Sequence, residues 1–275
     1  MNKIHRALFA ALLFALPLTA SAAAMLKFVP AMIVLDSEPR RGTLTIMNAG
    51  EEKVTVQLQI MKWSQDQDGK DIYEPTKDLV FYPQIVSIGP GKQGIVRVGY
   101  EPAGALSVEK SYRLFVQELP VSAPGKNIIK ITMRVGIPVF IPPKDPHPAL
   151  SMGNARVESG IFQVTIGNKG NSHSMIERIA ISGLDAGGRE TFNKELNGWY
   201  VLPGAARSFA IDLPPEDVGK SRFLKITGTA KSESVEGKFD VDEHWSALLA
   251  EGVEKRKQQA EKERPSEVPM PPAKP

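Results

Sequence analysis

Residues 127–141 read NIIKITMRVGIPVFI, and the interpretation of the whole chain depends on this stretch. Every odd position from 129 to 141 is apolar, whereas the even positions are mixed. A period of two is typical of a β-strand with one buried face, and this strand would exceed the usual five or six residues. Pro138 has no N–H to donate to a neighbour, which favours an edge strand or a strand end.

The apolar face of this strand has two alternative uses. The odd positions can pack inside a sandwich, and at least the second half of the strand is expected to do so. A long apolar edge also invites pairing with another chain, so Ile129, Ile131, Met133 and Val135 can instead be lent to a partner by β-strand addition. Burying four such side chains is worth roughly 6–12 kcal/mol before association costs.

The sequence on both sides of this strand has the same period. Alternating segments such as 54–60 and 161–166 are separated by turn signals such as Asp68-Gly69, which is typical of all-β sandwiches. Four prolines within residues 142–148 interrupt the pattern and predict a stiff linker. The predicted units are an N-terminal sandwich over 25–143, a linker over 144–149, a C-terminal sandwich over 150–242 and an extension over 243–275.

The two ends of the chain differ from this body. Residues 1–24 have a basic start, an apolar run and small residues near Ala22–Ala24, which predicts a signal peptide cleaved there and export without stable membrane insertion. Removing Lys3 and Arg6 with it lowers the net charge from +3 to +1. The charged, proline-rich extension allows a helix before residue 263, and either a solvated tail or a docking segment for a partner.

The composition excludes several classes of protein. The 275 residues contain no Cys, which excludes disulfides, thiolate nucleophiles and Cys-ligated zinc. The 34 Lys and Arg against 31 Asp and Glu are too evenly spread to predict nucleic acid binding. The histidines lack the spacing of metal ligands and no G-x-S-x-G element occurs, so no metal, cofactor or enzymatic activity is predicted.

Residues 112–120, YRLFVQELP, resemble the signature of PapD-like periplasmic pilus-assembly chaperones. Residues 127–143 correspond to the subunit-binding strand of that family, and further similar segments lie at 35–36, 43–48, 81–83, 89–93 and 96–98. The resemblance extends over residues 26–143, and over 150–242 only as a weak sandwich pattern. It implies two immunoglobulin-like domains in an L-shaped arrangement with a cleft between them.

The resemblance also implies a function. Ile129, Ile131, Met133 and Val135 would complete the core of an incomplete pilus or fimbrial subunit, and an outer-membrane usher would receive that subunit. The chain would then be a periplasmic chaperone, and self-association through the strand would be a way for the free protein to hide it. The alternatives are a secreted two-domain structural or adhesive protein whose long strand is simply buried, and a carbohydrate-binding or hydrolytic module.

The chain departs from the family at two places. The Arg and Lys that usually hold the subunit's C-terminal carboxylate correspond to Met32 and Pro138, which have no charge. Arg113 and Arg134 are the candidates to replace them, although either can equally be an exposed sheet-face arginine. This loss looks like the alternative or archaic branch of the family.

The second departure concerns the junction between the domains. The family joins its domains through a buried Arg, a Glu and an Asp of the second domain. Arg97 and Glu118 match the first two and are predicted to be structural residues between the domains. Residues 227–229, Thr-Gly-Thr, stand near the place of the third.

Overall fold

A computed structural model describes residues 25–120 and 132–263 of the chain. The predicted signal peptide, Ile129, Ile131 and the proline-rich end of the extension lie outside these residues. Within them, the chain consists of β-strands in two successive groups, each with its own apolar core.

The N-terminal sandwich comprises the strands up to residue 141, and its two sheets enclose one apolar core. The strands are β1 (Leu26–Val29), β2 (Ile33–Val34), β3 (Arg41–Asn48), β4 (Val54–Gln65), β5 (Asp71–Pro75), β6 (Leu79–Tyr82), β7 (Ile85–Ile88), β8 (Gln93–Tyr100), β9 (Lys110–Glu118) and β10 (Arg134–Ile141). One sheet has the order β1-β3-β8-β6, and the other has the order β2-β10-β9-β4-β5, with β7 also paired to β4.

The C-terminal sandwich follows the proline-rich segment and has a separate core. Its strands are β11 (Leu150–Glu158), β12 (Ile161–Asn168), β13 (Ser174–Leu184), β14 (Glu190–Asn197), β15 (Tyr200–Val201), β16 (Ala206–Ile211), β17 (Phe223–Ala230) and β18 (Ser234–Asp240). One sheet has the order β11-β12-β16, and the other has the order β14-β13-β17-β18, with β15 paired to β13. Two helices accompany these strands, α1 (Pro215–Lys220) and α2 (Trp245–Lys262).

A buried asparagine ends β3, the first long strand of the first sandwich. Asn48 is only 1% exposed, and its side-chain amide donates to the carbonyl oxygens of Glu52 at 2.7 Å and Ile88 at 3.0 Å. Its side-chain oxygen accepts the backbone N–H of Gly50. One buried side chain thus forms hydrogen bonds with three backbone groups, and these bonds hold the backbone of the corner in place.

Asn168 forms the same corner in the second sandwich. Its amide donates to the carbonyl oxygens of Ser172 at 2.8 Å and Val201 at 3.0 Å, and its oxygen accepts the N–H of Gly170. In both corners, the backbone carbonyl of the asparagine also accepts the N–H of a glycine in the left-handed region. This glycine is Gly91 with φ 66° in the first sandwich and Gly204 with φ 72° in the second. The two sandwiches therefore share one local construction.

Helix α2 packs on the C-terminal sandwich instead of lying free in solvent. Leu249 is fully buried in the core of this sandwich, and Trp245 contacts Phe162 edge-on with ring centroids 5.5 Å apart. The extension therefore contains the helix that the sequence allows, and this helix is docked. No helix in the described part of the chain is long and apolar enough to cross a membrane.

The backbone of α2 touches the turn between β11 and β12. A Cβ atom at Gly252 would lie 2.3 Å from the Cα of Gly160, so only glycine fits at this contact. One turn further along the helix, Arg256 donates to the carbonyl of Gly160 at 3.1 Å and to Asp212 at 2.9 Å. A close backbone contact and a forked arginine thus hold the helix at one point.

Candidate functional site

Strand β10 has one open edge. It pairs with β9 along its whole length, from Arg134 opposite Gln117 to Ile141 opposite Lys110. On its other side, β2 pairs only with Val139 and Phe140. Within the described residues, the backbone edge of 134–138 therefore has no strand beside it, and Pro138 lies on this edge.

The odd face of β10 points into the N-terminal core. Ile137, Val139 and Ile141 are buried there, while Val135 is partly buried against them. Met133 is half-buried, and its carbonyl accepts the backbone N–H of Glu118 at 2.9 Å. The second half of the long strand thus packs inside the sandwich. Ile129 and Ile131 lie outside the described residues, so the use of their side chains stays a prediction.

The opposite face of the same sheet holds Arg113, which is 5% exposed. Its Nη1 donates to the carbonyl of Gly136 at 3.1 Å, and its guanidinium carbon lies 3.8 Å from the centre of the Trp63 ring. Among the described residues, its Nε and Nη2 are buried and make no hydrogen bond of good geometry, and the Tyr73 hydroxyl lies close enough to the guanidinium for the charge to act on its pKa. Unpaired buried donors cost free energy, and the Nε–Nη2 edge is one that a carboxylate can engage with both oxygens. This geometry can accept an anion.

Aromatic rings surround the Arg113 guanidinium. The rings of Tyr200 and Trp199 have their centres 5.3 and 5.5 Å from its central carbon. Trp63 and Tyr200 contact each other edge-on at 5.3 Å. Burial raises the pKa of the Tyr200 hydroxyl, so this group stays uncharged near neutral pH. A cation held among uncharged rings and shielded from water attracts an anion more strongly than an exposed arginine does.

Arg134 occupies a different position on this face. It is exposed and lies over the ring of Phe115, 4.1 Å from the ring centre. It pairs with Gln117, whereas Pro138 pairs with Arg113, so the two arginines are about four residues, or roughly 13 Å, apart along the strand. Their backbone positions are therefore separated, although both side chains reach toward the Gly136–Phe115 pair, Arg113 through its bond to the Gly136 carbonyl and Arg134 over the Phe115 ring.

Gly136 makes the approach of Arg113 to β10 feasible. A Cβ atom at this position would lie 3.1 Å from a ring carbon of Phe115 and 3.6 Å from Cδ of Arg113. Met32, one of the two uncharged positions that the sequence highlights, is 37% exposed, and the other, Pro138, is buried. Arg113 is the charged residue directly opposite Pro138 in the strand register.

Asp71 connects the two sandwiches beside this cluster. Its Oδ1 accepts hydrogen bonds from Trp63 Nε1 at 3.1 Å and from Gln65 at 3.0 Å, both within the first sandwich. Its Oδ2 accepts Trp199 Nε1 of the second sandwich at 2.9 Å, and Arg207 Nη1 lies 3.4 Å from Oδ1. One carboxylate thus holds groups from both sandwiches.

Gln65 adds further bonds across this junction. Its side-chain nitrogen donates to the carbonyl of Tyr200 at 2.9 Å, and its side-chain oxygen accepts the N–H of Leu202 at 3.0 Å. Trp63, Phe140 and Leu202 form a small buried apolar cluster at the same place. Hydrogen bonds and apolar packing therefore act together where the sandwiches meet.

Glu109 and His173 form the third polar contact between the sandwiches. The Glu109 carboxylate is 2.9 Å from His173 Nδ1 and also accepts the backbone N–H of His173 at 3.1 Å. The His173 ring stacks on Phe140 with centres 3.6 Å apart. Because the Glu109 side chain is only 3% exposed, it depends on His173 for its hydrogen bonds.

The structure places Arg97 and Glu118, the two residues predicted to lie between the domains, away from the interdomain contacts described above. Arg97 is exposed on the outer face of β8, opposite Thr43 and Tyr82. Glu118 is buried, but it ends β9 beside Val56, whereas the junction lies at the start of that strand. Eight strand residues separate the two ends by roughly 27 Å. The resemblance assigned these roles from strand position without the register of the second sandwich.

The residues that join the sandwiches were not predicted from the sequence. The chain has only three tryptophans, and two of them, Trp63 and Trp199, meet at Arg113. Asp71 follows a hairpin turn and looked like part of it. Aromatic residues make up only 7% of this chain, so the adjacent pair Trp199-Tyr200 was a signal that the sequence did offer.

Comparison with known proteins gives one family match. Residues 25–147 match the model of the pili and flagellar-assembly chaperone family, PapD N-terminal domain. The resemblance that the sequence suggested is thereby confirmed for the N-terminal sandwich. A search of curated protein sequences found no significant match to the chain.

Solved structures resemble the whole two-sandwich body. A chain of the CsuC–CsuE chaperone–tip adhesion subunit pre-assembly complex, from the archaic chaperone-usher Csu pili of Acinetobacter baumannii, matches with TM-score 0.57 and 22% identity over 78% of this chain and 98% of that chain. The YadV chaperone matches with TM-score 0.52 and 13% identity, over 78% and 98%. A chain of the Salmonella enterica SafA pilin–SafB chaperone complex matches with TM-score 0.52 and 11% identity, over 80% and 99%.

At these identities, the structural matches establish the fold. The predicted all-β fold of two immunoglobulin-like sandwiches is confirmed. The family match concerns the N-terminal sandwich, and the structural matches extend the fold to both sandwiches.

Proposed function

The N-terminal sandwich of this chain belongs to the PapD family of pilus-assembly chaperones, and from this premise we propose that the protein is a periplasmic chaperone that acts by donor-strand complementation. It would bind an incomplete pilus subunit, complete the subunit's core with its own strand and deliver it to an outer-membrane usher. No catalytic step or cofactor is part of this proposal.

The observation that carries the proposal is the open edge of β10. Residues 134–138 offer unpaired backbone groups on one side, and the apolar alternation continues upstream through Met133, Ile131 and Ile129. A strand added at this edge would gain backbone hydrogen bonds, while alternate side chains would enter the core of the partner. A monomer that buries this strand entirely would have no use for such an edge.

Arg113 is the proposed anchor for the subunit's terminal carboxylate. Its Nη1 is already bonded to Gly136, and its free Nε–Nη2 edge can bind both oxygens of one carboxylate. Arg134 is exposed and about 13 Å away along the strand, so it would contact another part of the subunit. An anchor moved away from the positions of Met32 and Pro138 supports assignment to the alternative or archaic branch.

The strand is tested by co-expression with a pilin subunit encoded beside this gene. Ile131→Asp combined with Met133→Asp should abolish recovery of the subunit from the periplasm, because two charges would have to enter its core. Met47→Asp with Ile95→Asp is the matched control, since these exposed apolar side chains lie on the other sheet. Unchanged recovery with the first pair would reject donor-strand complementation and favour the structural or adhesive alternative.

The anchor is tested by removing one charge. Arg113→Met should abolish subunit capture while circular dichroism shows a folded protein, and Arg97→Met, at an exposed arginine of β8, should leave capture unchanged. Capture that survives Arg113→Met would eliminate Arg113 as the anchor without affecting the role of the strand.

A further inference from the structure

Trp199 is the most exposed of the aromatic side chains around Arg113. The Trp63 ring lies against the guanidinium from the protein interior and is 2% exposed, whereas Trp199 lies 5.5 Å away and is 37% exposed. Arg113 itself is 5% exposed, and its unpaired Nε and Nη2 are inaccessible to solvent. A carboxylate from outside therefore reaches these two donors only if a neighbouring side chain moves, and Trp199 is the neighbouring ring that solvent reaches most.

The backbone at Trp199 is held by hydrogen bonds to β13, while its indole ring makes one hydrogen bond. The Trp199 carbonyl accepts the N–H of Ile176 at 3.1 Å, and the N–H of Gly198 donates to Glu177 at 3.2 Å. A Cβ atom at Gly198 would lie 2.2 Å from the Ile176 oxygen, so this segment is pressed against β13. The indole Nε1 donates to Asp71 at 2.9 Å. The exposed ring can therefore turn about its side-chain torsions without backbone movement.

We propose that Trp199 is a gate that closes the Arg113 anion site until a terminal carboxylate of a polypeptide displaces its ring. This inference rests on the proposed role of Arg113 as anchor. In the closed state, Asp71 of the first sandwich holds a ring of the second over the guanidinium. Opening exchanges the cation–π contacts of the ring with Arg113 and Arg207 and its hydrogen bond to Asp71 for a bidentate charged pair.

The gate predicts that loss of the ring strengthens carboxylate binding. The probe is the tripeptide N-acetyl-Val-Thr-Val with a free carboxylate, compared with its C-terminal amide, in calorimetric titrations of the full mature chain. Trp199→Ala should bind the carboxylate form on the order of tenfold more tightly than the parent. Trp199→Phe and Asp71→Asn, which keep a ring but remove or weaken the Asp71 bond, should give smaller gains, and Tyr82→Ala, at an exposed aromatic elsewhere, should give none.

The outcomes separate the gate from the anchor. If the carboxylate form binds no better than the amide, or if Arg113→Met leaves its preference intact, the anchor is wrong and the gate falls with it. If the preference depends on Arg113 but Trp199→Ala and Trp199→Phe both bind within twofold of the parent or more weakly, the gate is overturned and the anchor stands.

Discussion

The two sandwiches share their asparagine corners but differ in how their cores are completed. In the C-terminal sandwich, α2 inserts Leu249 into the core and closes the turn at Gly160. In the N-terminal sandwich, β10 keeps an open edge, and Val135 is only partly buried. One sandwich thus obtains its last apolar contacts from its own chain, whereas the other leaves a strand edge unpaired among the described residues; on the proposed function, a partner would use that edge.

The largest expected effect is at Leu249. Leu249→Ala should lower the free energy of unfolding of the C-terminal sandwich by about 3–4 kcal/mol, because it leaves a cavity at a fully buried position. Hydrogen exchange measured by mass spectrometry should show faster exchange in β11 and β12, with β3 and β8 unchanged. Equal acceleration in both sandwiches would mean that they unfold as one unit and that the comparison fails.

An effect of about 2–3 kcal/mol is expected at the shared corners. Asn48→Ala leaves the carbonyl oxygens of Glu52 and Ile88 without a donor, and Asn168→Ala does the same to Ser172 and Val201. Chemical denaturation should show similar losses for the two substitutions, each in its own sandwich. A loss at one corner alone would show that the two constructions are not equivalent.

The smallest effect on stability is expected at the open strand. Val135→Ala should cost about 1 kcal/mol or less, because this side chain is only partly buried. On the proposed function, the same substitution should weaken subunit capture in co-expression by more than it weakens the fold. A stability loss as large as that of Leu249→Ala would show that β10 is already complete within the chain.

Much of the fold could be predicted because its signals are local. The alternation in segments such as 54–60 and 161–166 reports a buried face within a few residues, and the prolines after Ile141 end β10 in the sequence as in the structure. Arg113 could be proposed as an anchor because it is a charged residue beside the unusual strand.

The surroundings of Arg113 could not be predicted in the same way. Trp63 and Trp199 are distant in sequence and meet only because β9, β4 and the segment before β15 come together. The residues of the junction could not be predicted for the same reason, because a position on a strand does not reveal which end of that strand faces the second sandwich. Arg97 and Glu118 were assigned by analogy, whereas Asp71, Gln65 and Glu109 make the contacts.

The contact between Gly160 and Gly252 has a consequence for the first two turns of α2. Each residue of an α-helix turns its direction by about 100° and advances it by about 1.5 Å. An insertion or deletion of one residue between Trp245 and Gly252 would bring a side chain, instead of Gly252, against Gly160, where no Cβ atom fits. These two turns therefore tolerate changes of sequence more readily than changes of length, and the helix has a single angular setting on the sandwich.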